Sequence, residues 1–582
     1  MGRNAVFTLV TLAFLFSLAR AQELKSTPPS QAPKSAPAHI GIPQDWSQSH
    51  FAFPGLATVP QNADPRVRSA FAQHRGRANA IHGTAAALGT HPSSPHSRQN
   101  RGAHVDWNVS LGSSAAELPQ FGYPAKYSFD INSLPDCNND FVVYGLAVAG
   151  SPTQGNMVAF NNLYSSGISS TGGGFCDANN NGQPTTLFSF DVTTQANGFV
   201  NGSTVLSLDG TKVAFVEFSN SGTYFHVLTW GTGGGTVSAP LTPDPACVTS
   251  CLVSILLPGG GRTPYIDYAT DSAYIAEPNT GRIAKIDNVF NGIPALATND
   301  PDWPSSGECQ TQATGAFGLN SAFLVNGRLY ATEFQPVLHI VTPGPTCSAA
   351  SDVQVTLGTG AGTVVDSPLF SVQDATHGSV FVFARDGVTP NTKVYQTDLE
   401  GNLLQTVTVV ADGGEVPVAG QFDNTYWSDP AASSGYLYFP STNSNFGNEA
   451  AVHRVQFSGS TTMNASADAS SINFSSSGGV AISSMVEIFN PTNVASPDTL
   501  FIQGSQNCGT LFFGDSAGCV RAFDLSNNPF TAGPAVDEGG SMDNLGGMVV
   551  DNIADPNTFG QASSIYFAVP GKAIKLTQSA LN

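Results

Sequence analysis

Charge is scarce in this 582-residue chain, and basic charge is scarcest: Asp, Glu, Lys and Arg make up 11% of it, as 22 Lys and Arg against 42 Asp and Glu. The shortage is uneven. Residues 22–107 hold eight basic and four acidic side chains, which leaves 12 basic and 38 acidic in residues 108–582, a formal balance of −26. A surface of that sign repels phosphate backbones, so nucleic acid is excluded as an expected partner. Apolar runs of the roughly 20 residues that span a bilayer are missing too. The one candidate, residues 6–18, is too short; it lies between Arg3 and the Ala19-Arg20-Ala21 sequence, the pattern of a signal peptide over residues 1–21. No Cys stands at that cleavage site to take a lipid. The expectation is a secreted or periplasmic chain without a transmembrane segment. Cysteines at C-x-x-C spacing are absent, which argues against thiol redox or zinc chemistry. Long amphipathic helical patterns are absent as well.

What is present is Gly, Ser, Thr and Asn among short alternating apolar runs, the composition of many strands joined by turns. Residues 22–117 differ. They are a Pro-, Ser-, Ala- and His-rich mixture (STPPSQAPKSAPAH, LGTHPSSPHSRQNRGAH) without apolar periodicity, and read as a disordered linker or pro-region. Seven of the eleven histidines lie there, singly and at irregular intervals, as on a solvated linker.

From residue 118 to 582 one phrase recurs: an alternating strand, a turn with Gly, Asn or Asp, and a second strand. KVAFVEFSNSGTYFHVLTW, SAYIAEPNTGRIAKID and TLFFGDSAGCVRAFDL are examples. With one marker per unit (Val158, Val213, Tyr274, Tyr330, Phe381, Tyr438, Phe512, Tyr566), the gaps are 55, 61, 56, 51, 57, 74 and 54. A repeat of that size built from strands alone points to an all-β fold, a β-propeller, in which each unit is a blade buried against its neighbours. Eight blades are expected, with seven as the alternative. KYSFDI (126–131) copies LFSFDV (187–192), a plausible outer strand of the first unit, and is expected to supply the outer strand that the eighth unit lacks, so closing the ring.

Eight cysteines in an exported chain suggest up to four disulfides. Sequence does not choose among the connectivities. Cys137 with Cys176, and Cys309 with Cys347, each bracket one proposed sheet and are the preferred pairings; Cys247, Cys251, Cys508 and Cys519 complete the candidates.

Few stretches carry chemistry. GDSAG (514–518) matches the G-x-S-x-G pattern around nucleophilic serines, but an elbow of that kind needs a helix after the serine, and a strand-like CVRAFDL follows. Ser516 is therefore read as part of a turn. CDANNNG (176–182) places Asp177, Asn179 and Asn181 as the first half of a Ca²⁺ loop, yet its twelfth position is Phe188 instead of a bidentate acid. Those three residues are the candidate metal ligands, Ca²⁺ is the one cofactor to consider, and DEGGSMDN (537–544) is a second acidic stretch able to hold a cation. Of the body histidines, His226 is read as a hydrogen-bonded packing residue, and His339, His377 and His453 have no recurrent acid or nucleophile beside them in sequence. Asn108, Asn201, Asn464 and Asn473 are sequons.

LFFGDSAGCVRAFDL in the seventh unit, and more loosely YIAEPNTGRIAKID in the third, resemble the repeat of quinoprotein-type (PQQ-like) propellers. The resemblance implies an eight-bladed fold. It stops short of the cofactor, since quinone-binding members use adjacent cysteines and many docking tryptophans, whereas this chain has no Cys-Cys pair and five Trp. Residues 123–130, YPAKYSFD, are also similar to a segment of exported bacterial propellers, a resemblance that implies no activity. The reading is an exported, monomeric binding or interaction module for an extracellular protein or glycan. The alternative is a propeller-type hydrolase or lyase acting on polysaccharide through channel carboxylates. A quinone-dependent dehydrogenase is the third.

Overall fold

Strands in this chain are apolar almost without interruption because they are buried on both faces. Within Lys212–Ser219, for example, residues 213–217 are all buried, and within Ser272–Glu277 every residue is. The structure, a computed structural model, describes residues 41–56, 59, 63–74, 103–129, 135–165, 176, 182–313, 318–358, 362–374, 376–387, 391–409, 417–443, 449–468, 472–478, 482–489, 497–504, 519–527, 530–537, 546–552 and 563–578.

The strands form eight small sheets arranged in a ring, an eight-bladed β-propeller. Blade one is Ala125–Ser128, Phe141–Gly145, Met157–Asn161 and Thr185–Phe190; blade two runs from Phe199–Val200 through Lys212–Ser219 and Gly222–Thr229 to Cys251–Leu257. Blades three to six begin at Tyr265–Asp267, Phe323–Val325, Leu369–Val372 and Gln421–Phe422. Blade seven is Ile482–Phe489, Asp498–Gly504, Cys519–Asp524 and Thr531–Asp537. Consecutive blades share apolar clusters: Phe188 and Phe190 of blade one meet Phe215 and Leu228 of blade two, and Tyr144 and Phe160 of blade one meet Tyr566 and Ala568 of blade eight. Each such buried aromatic contributes roughly 1.5–3 kcal/mol.

Ring closure uses an N-terminal strand, but a different one from KYSFDI. Blade eight (Val549–Asp551, Ser564–Val569, Lys572–Gln578) receives its outer strand from Ala103–Ser110, antiparallel to Lys572–Gln578. The segment AKYS is instead the inner strand of blade one, paired with Phe141–Gly145. The reason is visible in Ala103–Ser110: Asp106 and Lys575, both fully buried, pair at 2.7 Å, Thr577 donates to Asp106, and the Trp107 indole N–H bonds the Leu163 carbonyl of blade one at 3.0 Å. Breaking one side of so buried a pair costs about 3–5 kcal/mol. Residues 103–117, like 41–56 and 63–74, are thus built into the fold, although their composition reads as linker.

The seventh hairpin also shifts. Its strands are Asp498–Gly504 and Cys519–Asp524, with Gly504 opposite Cys519, so the marker moves from Phe512 to Phe501 and the last two gaps become 63 and 65. DTLFIQG and TLFFGD carry the same apolar pattern, and only pairing with Ile482–Phe489 selects the first.

Both preferred disulfides are formed, Cys137–Cys176 and Cys309–Cys347, together with Cys247–Cys251. Cys309 lies on an outer strand of blade three and Cys347 follows the third strand of blade four, so this bridge ties two blades instead of bracketing one sheet. Closing loops of 38 and 39 residues stabilises the fold by about 4 kcal/mol each on the chain-entropy model. Cys519 is disulfide-bonded, and Cys508 lies outside the described residues. Among the described residues, no helix is long and apolar enough to cross a membrane.

Candidate functional site

Residues 41–56 and 63–74 run along the axis of the ring. Ile42–Gln44 pairs antiparallel with the inner strand of blade one, and Gly41 donates to Leu208 beside blade two. Trp46 donates its indole N–H to Pro264 of blade three at 3.1 Å and packs 4.7 Å from Phe323 of blade four. Phe51–Ala52 lies parallel to Leu369–Val372 of blade five, and the Ser49 carbonyl accepts from Gln421 of blade six at 2.7 Å. His74 stacks on Trp427 of blade six at 4.1 Å and approaches Glu487 of blade seven at 3.6 Å. Gln73 and His74 share a cavity with residues 548–550 of blade eight. Contacts to seven blades and a cavity shared with the eighth place these residues in the central channel.

Local chemistry shapes this plug. Asp45 caps the 3₁₀ turn Trp46–His50 in a capping box with Gln48. Pro65 opens the helix Pro65–His74, where its missing N–H costs nothing. Arg66, buried, binds Ser47 at 2.6 Å, Asp64 at 2.8 Å and the Ile266 carbonyl at 2.8 Å, and lies 4.2 Å over the Tyr265 ring. Burial works against its charge, and the neighbouring Asp64 and Tyr265 outweigh burial and raise its pKa further. Burial likewise raises the Asp45 carboxyl, with Arg66 opposing.

Between plug and blades lies a cavity of about 50 Å³, lined by Gln44, Gln73, His74, Gln421, Trp427 and Glu487 among others. It has room for a few waters. Three buried carboxyls gather there and behind it. Burial, and then the charge of Asp498, push Asp423 up to about 7. Burial raises both Glu487 and Asp498, and the charge of Asp498 adds to the rise at Glu487, which stands well above the carboxylate range. Asp423 caps the short helix Asn424–Ser428 by accepting from Tyr426 at 3.0 Å, while Asp498 accepts from the Asn424 N–H at 2.9 Å. Carboxyls that hold protons near neutrality can act as general acids. The sequence pointed to no particular acids; these three come from two blades and converge only in the fold.

The residues singled out from sequence are distributed as follows. Asp177, Asn179, Asn181 and Ser516 lie outside the described residues, as do residues 538–544. Phe188, the twelfth position of the Ca²⁺-loop reading, is fully buried in the outer strand of blade one. Among the described residues, no group of three or more His, Cys, Asp or Glu is placed to hold a metal ion. His226 is buried between Glu217 and Ser254 and hydrogen-bonded to both. His339 does have acids beside it, Asp352 at 2.7 Å and Glu333 at 3.2 Å, brought from neighbouring strands. They overcome burial and push its pKa up to about 9. His377 is exposed on Asp374, and His453 is buried against Phe439. The plug was missed because composition averaged away Trp46, the D-W-S-Q cap and Pro65, which are signals of ordered structure.

No family model matches the chain, and no curated protein matches it in sequence. Solved structures similar to it include the WD40 domain of Toxoplasma gondii coronin, at 11% identity over 63% of this chain and 78% of that one, TM-score 0.36. The computationally designed protein Ika8 is similar at 12% identity over 81% and 99%, TM-score 0.41. The dihydro-heme d1 dehydrogenase NirN is similar at 9% identity over 77% and 81%, TM-score 0.38. These neighbours have varied functions, and what the chain has in common with them is the propeller fold.

Proposed function

We propose that this chain is an exported binding or interaction module that meets its ligand on the loops of the ring. The observation that carries the reading is the filled channel: a cavity of about 50 Å³ remains on the axis, against the roughly 300–1,000 Å³ of small-molecule sites. The loops, by contrast, present apolar side chains to solvent. Val248 and Ile293, 81% and 80% exposed, stand on the connections that follow the third strands of blades two and three. Strand alternation sends those connections out on one face, so the two side chains suit a protein or glycan surface there. Asp177, Asn179 and Asn181, which follow the third strand of blade one in sequence, are the residues at which Ca²⁺ would act. The quinoprotein-type resemblance remains a likeness of blade sequence, and the quinone-dependent reading predicts absorbance on reconstitution with quinone and Ca²⁺.

A second reading is favoured by one observation, the raised carboxyls Asp423, Glu487 and Asp498 beside His74. They suit a hydrolase or lyase of polysaccharide once the plug is withdrawn. The test of both is a glycan-array and polysaccharide pull-down with the full mature chain, with Ca²⁺ and with chelator, followed by product analysis. Retention without turnover, lost in Val248→Asp/Ile293→Asp, supports the binding module; turnover abolished by Glu487→Gln replaces it with the enzyme.

A further inference from the structure

Blade two holds a three-residue relay distinct from the channel. The registers of its strands set Phe215 opposite His226 and His226 opposite Ser254, and Glu217, two residues beyond Phe215, shares their face of the sheet. His226 Nε2 lies 2.8 Å from Glu217 Oε2, and His226 Nδ1 lies 2.9 Å from Ser254 Oγ. The imidazole is fully buried, sandwiched by ring contacts with Phe215 and Tyr224, whereas Ser254 is exposed on the outer strand.

Proton positions follow from the partners. Glu217 accepts from the Thr194 N–H at 2.9 Å, the Gln195 N–H at 3.1 Å and the Thr194 hydroxyl. Burial opposes its charge, but the bonds from His226 and Thr194 outweigh burial and hold the carboxyl below the ordinary glutamate range. An ionised carboxylate only accepts, so His226 donates through Nε2 and its Nδ1 lone pair faces the serine O–H. That is a nucleophile, a base and an orienting acid in hydrogen-bond reach, recognised by geometry and role. The two ring nitrogens exchange the roles they have in the chymotrypsin triad, which alters no proton count.

We propose that Ser254 is an activated nucleophile and that blade two carries an esterase-type acyl-transfer site for apolar acyl esters. Leu256, 50% exposed, follows Ser254 on the same face, with Tyr224 opposite it, and the two offer an apolar flank for an acyl chain. Ser254 Oγ attacks the ester carbonyl carbon as its proton passes to His226 Nδ1. The acyl C–O bond breaks, and the alcohol leaves with that proton. Water then attacks the acyl-serine, gives one proton to Nδ1, and the carboxylic acid departs as Ser254 recovers its proton. Glu217 is a positioning residue that stabilises the imidazolium. Because the serine sits on an open strand, activated esters and organophosphonates, which demand least of oxyanion donors, are the substrates to try first.

The experiment treats the full mature chain with a fluorophosphonate–biotin probe, locates the adduct by peptide mass spectrometry, and measures p-nitrophenyl butyrate hydrolysis. The expected result is one adduct at Ser254, none in Ser254→Ala, and a labelling rate at least about 100-fold lower in His226→Ala, the range of a general base. Labelling of the parent should slow on acidification, and Glu217→Gln should displace that pH profile as well as lower the rate. Ser254→Ala alters an exposed side chain, so it keeps the test valid if His226→Ala does not fold. A folded parent unlabelled at Ser254, or hydrolysis unchanged in Ser254→Ala, overturns the proposal.

Discussion

Blades two and four each bury a histidine on the third strand, with a glutamate in or directly after the second strand at one ring nitrogen. They differ at the other nitrogen. In blade four the fourth strand presents Asp352, and His339, between two carboxylates, is pushed up to about 9; in blade two it presents Ser254, and His226 has one carboxylate and one hydroxyl. The same architecture therefore holds a fixed cation in one blade and sets an imidazole between a carboxylate and a hydroxyl in the other. A single side chain on the outer strand makes that difference, since a second carboxylate adds its charge against the desolvation that burial imposes on the imidazolium.

The comparison can be broken most sharply at His339. His339→Ala strands two buried carboxylates and is expected to lower stability by about 3–5 kcal/mol, read by denaturant unfolding; a loss below about 1 kcal/mol would show that the ring is not a buried cation. The same ring predicts a pH dependence. Its folded pKa, about 9, lies above the unfolded value near 6.5, so its stabilisation is fully present below about pH 6.5. Roughly 3 kcal/mol of it should be lost as pH rises from 6.5 to 9, a loss missing from His339→Gln. His226→Ala is expected to cost less, about 1–3 kcal/mol, since Glu217 keeps its bonds from Thr194 and Gln195. Ser254→Asp should convert blade two toward blade four: imidazole nitrogen shifts in NMR should show a doubly protonated His226 persisting to higher pH than in the parent. The smallest effect is Ser254→Ala, at about 0.5–1 kcal/mol by melting temperature, and a larger loss would mark the hydroxyl as structural first.

The channel acids add an opposite lesson about burial. Asp423, raised to about 7 by burial and the Asp498 charge, which Arg454 only partly offsets, favours the folded state below about pH 4 and loses that contribution as pH climbs through 7. His339 is raised by the carboxylates that hold it, whereas Asp423 is raised chiefly by loss of water.

Much of the ring was legible in the chain. The recurring strand–turn–strand phrase located seven of the eight hairpins, since a strand buried on both faces must read as an apolar run between turn residues. The seventh slipped because Leu500-Phe501 and Leu511-Phe512 are equivalent as pattern, and pairing partners are not written locally. The disulfides Cys137–Cys176 and Cys309–Cys347 were legible from position, but not that the second crosses between blades. Nothing local marked Glu217, His226 and Ser254 as a set: 9 residues separate the first two and 28 the last two, and only strand register aligns them.

By itself, then, the amino-acid order determined an all-β repeat protein, its negative body and its approximate blade boundaries. These follow from alternation, turn chemistry and composition, which are properties of neighbours in sequence. Tertiary structure alone decided which N-terminal strand closes the ring, that Trp46, Arg66 and His74 fill the channel, and which acids face which histidines. Those outcomes depend on charges and rings from different strands, some of them hundreds of residues apart, finding one another out of water, and the free energy of such contacts belongs to the pair and to neither residue alone.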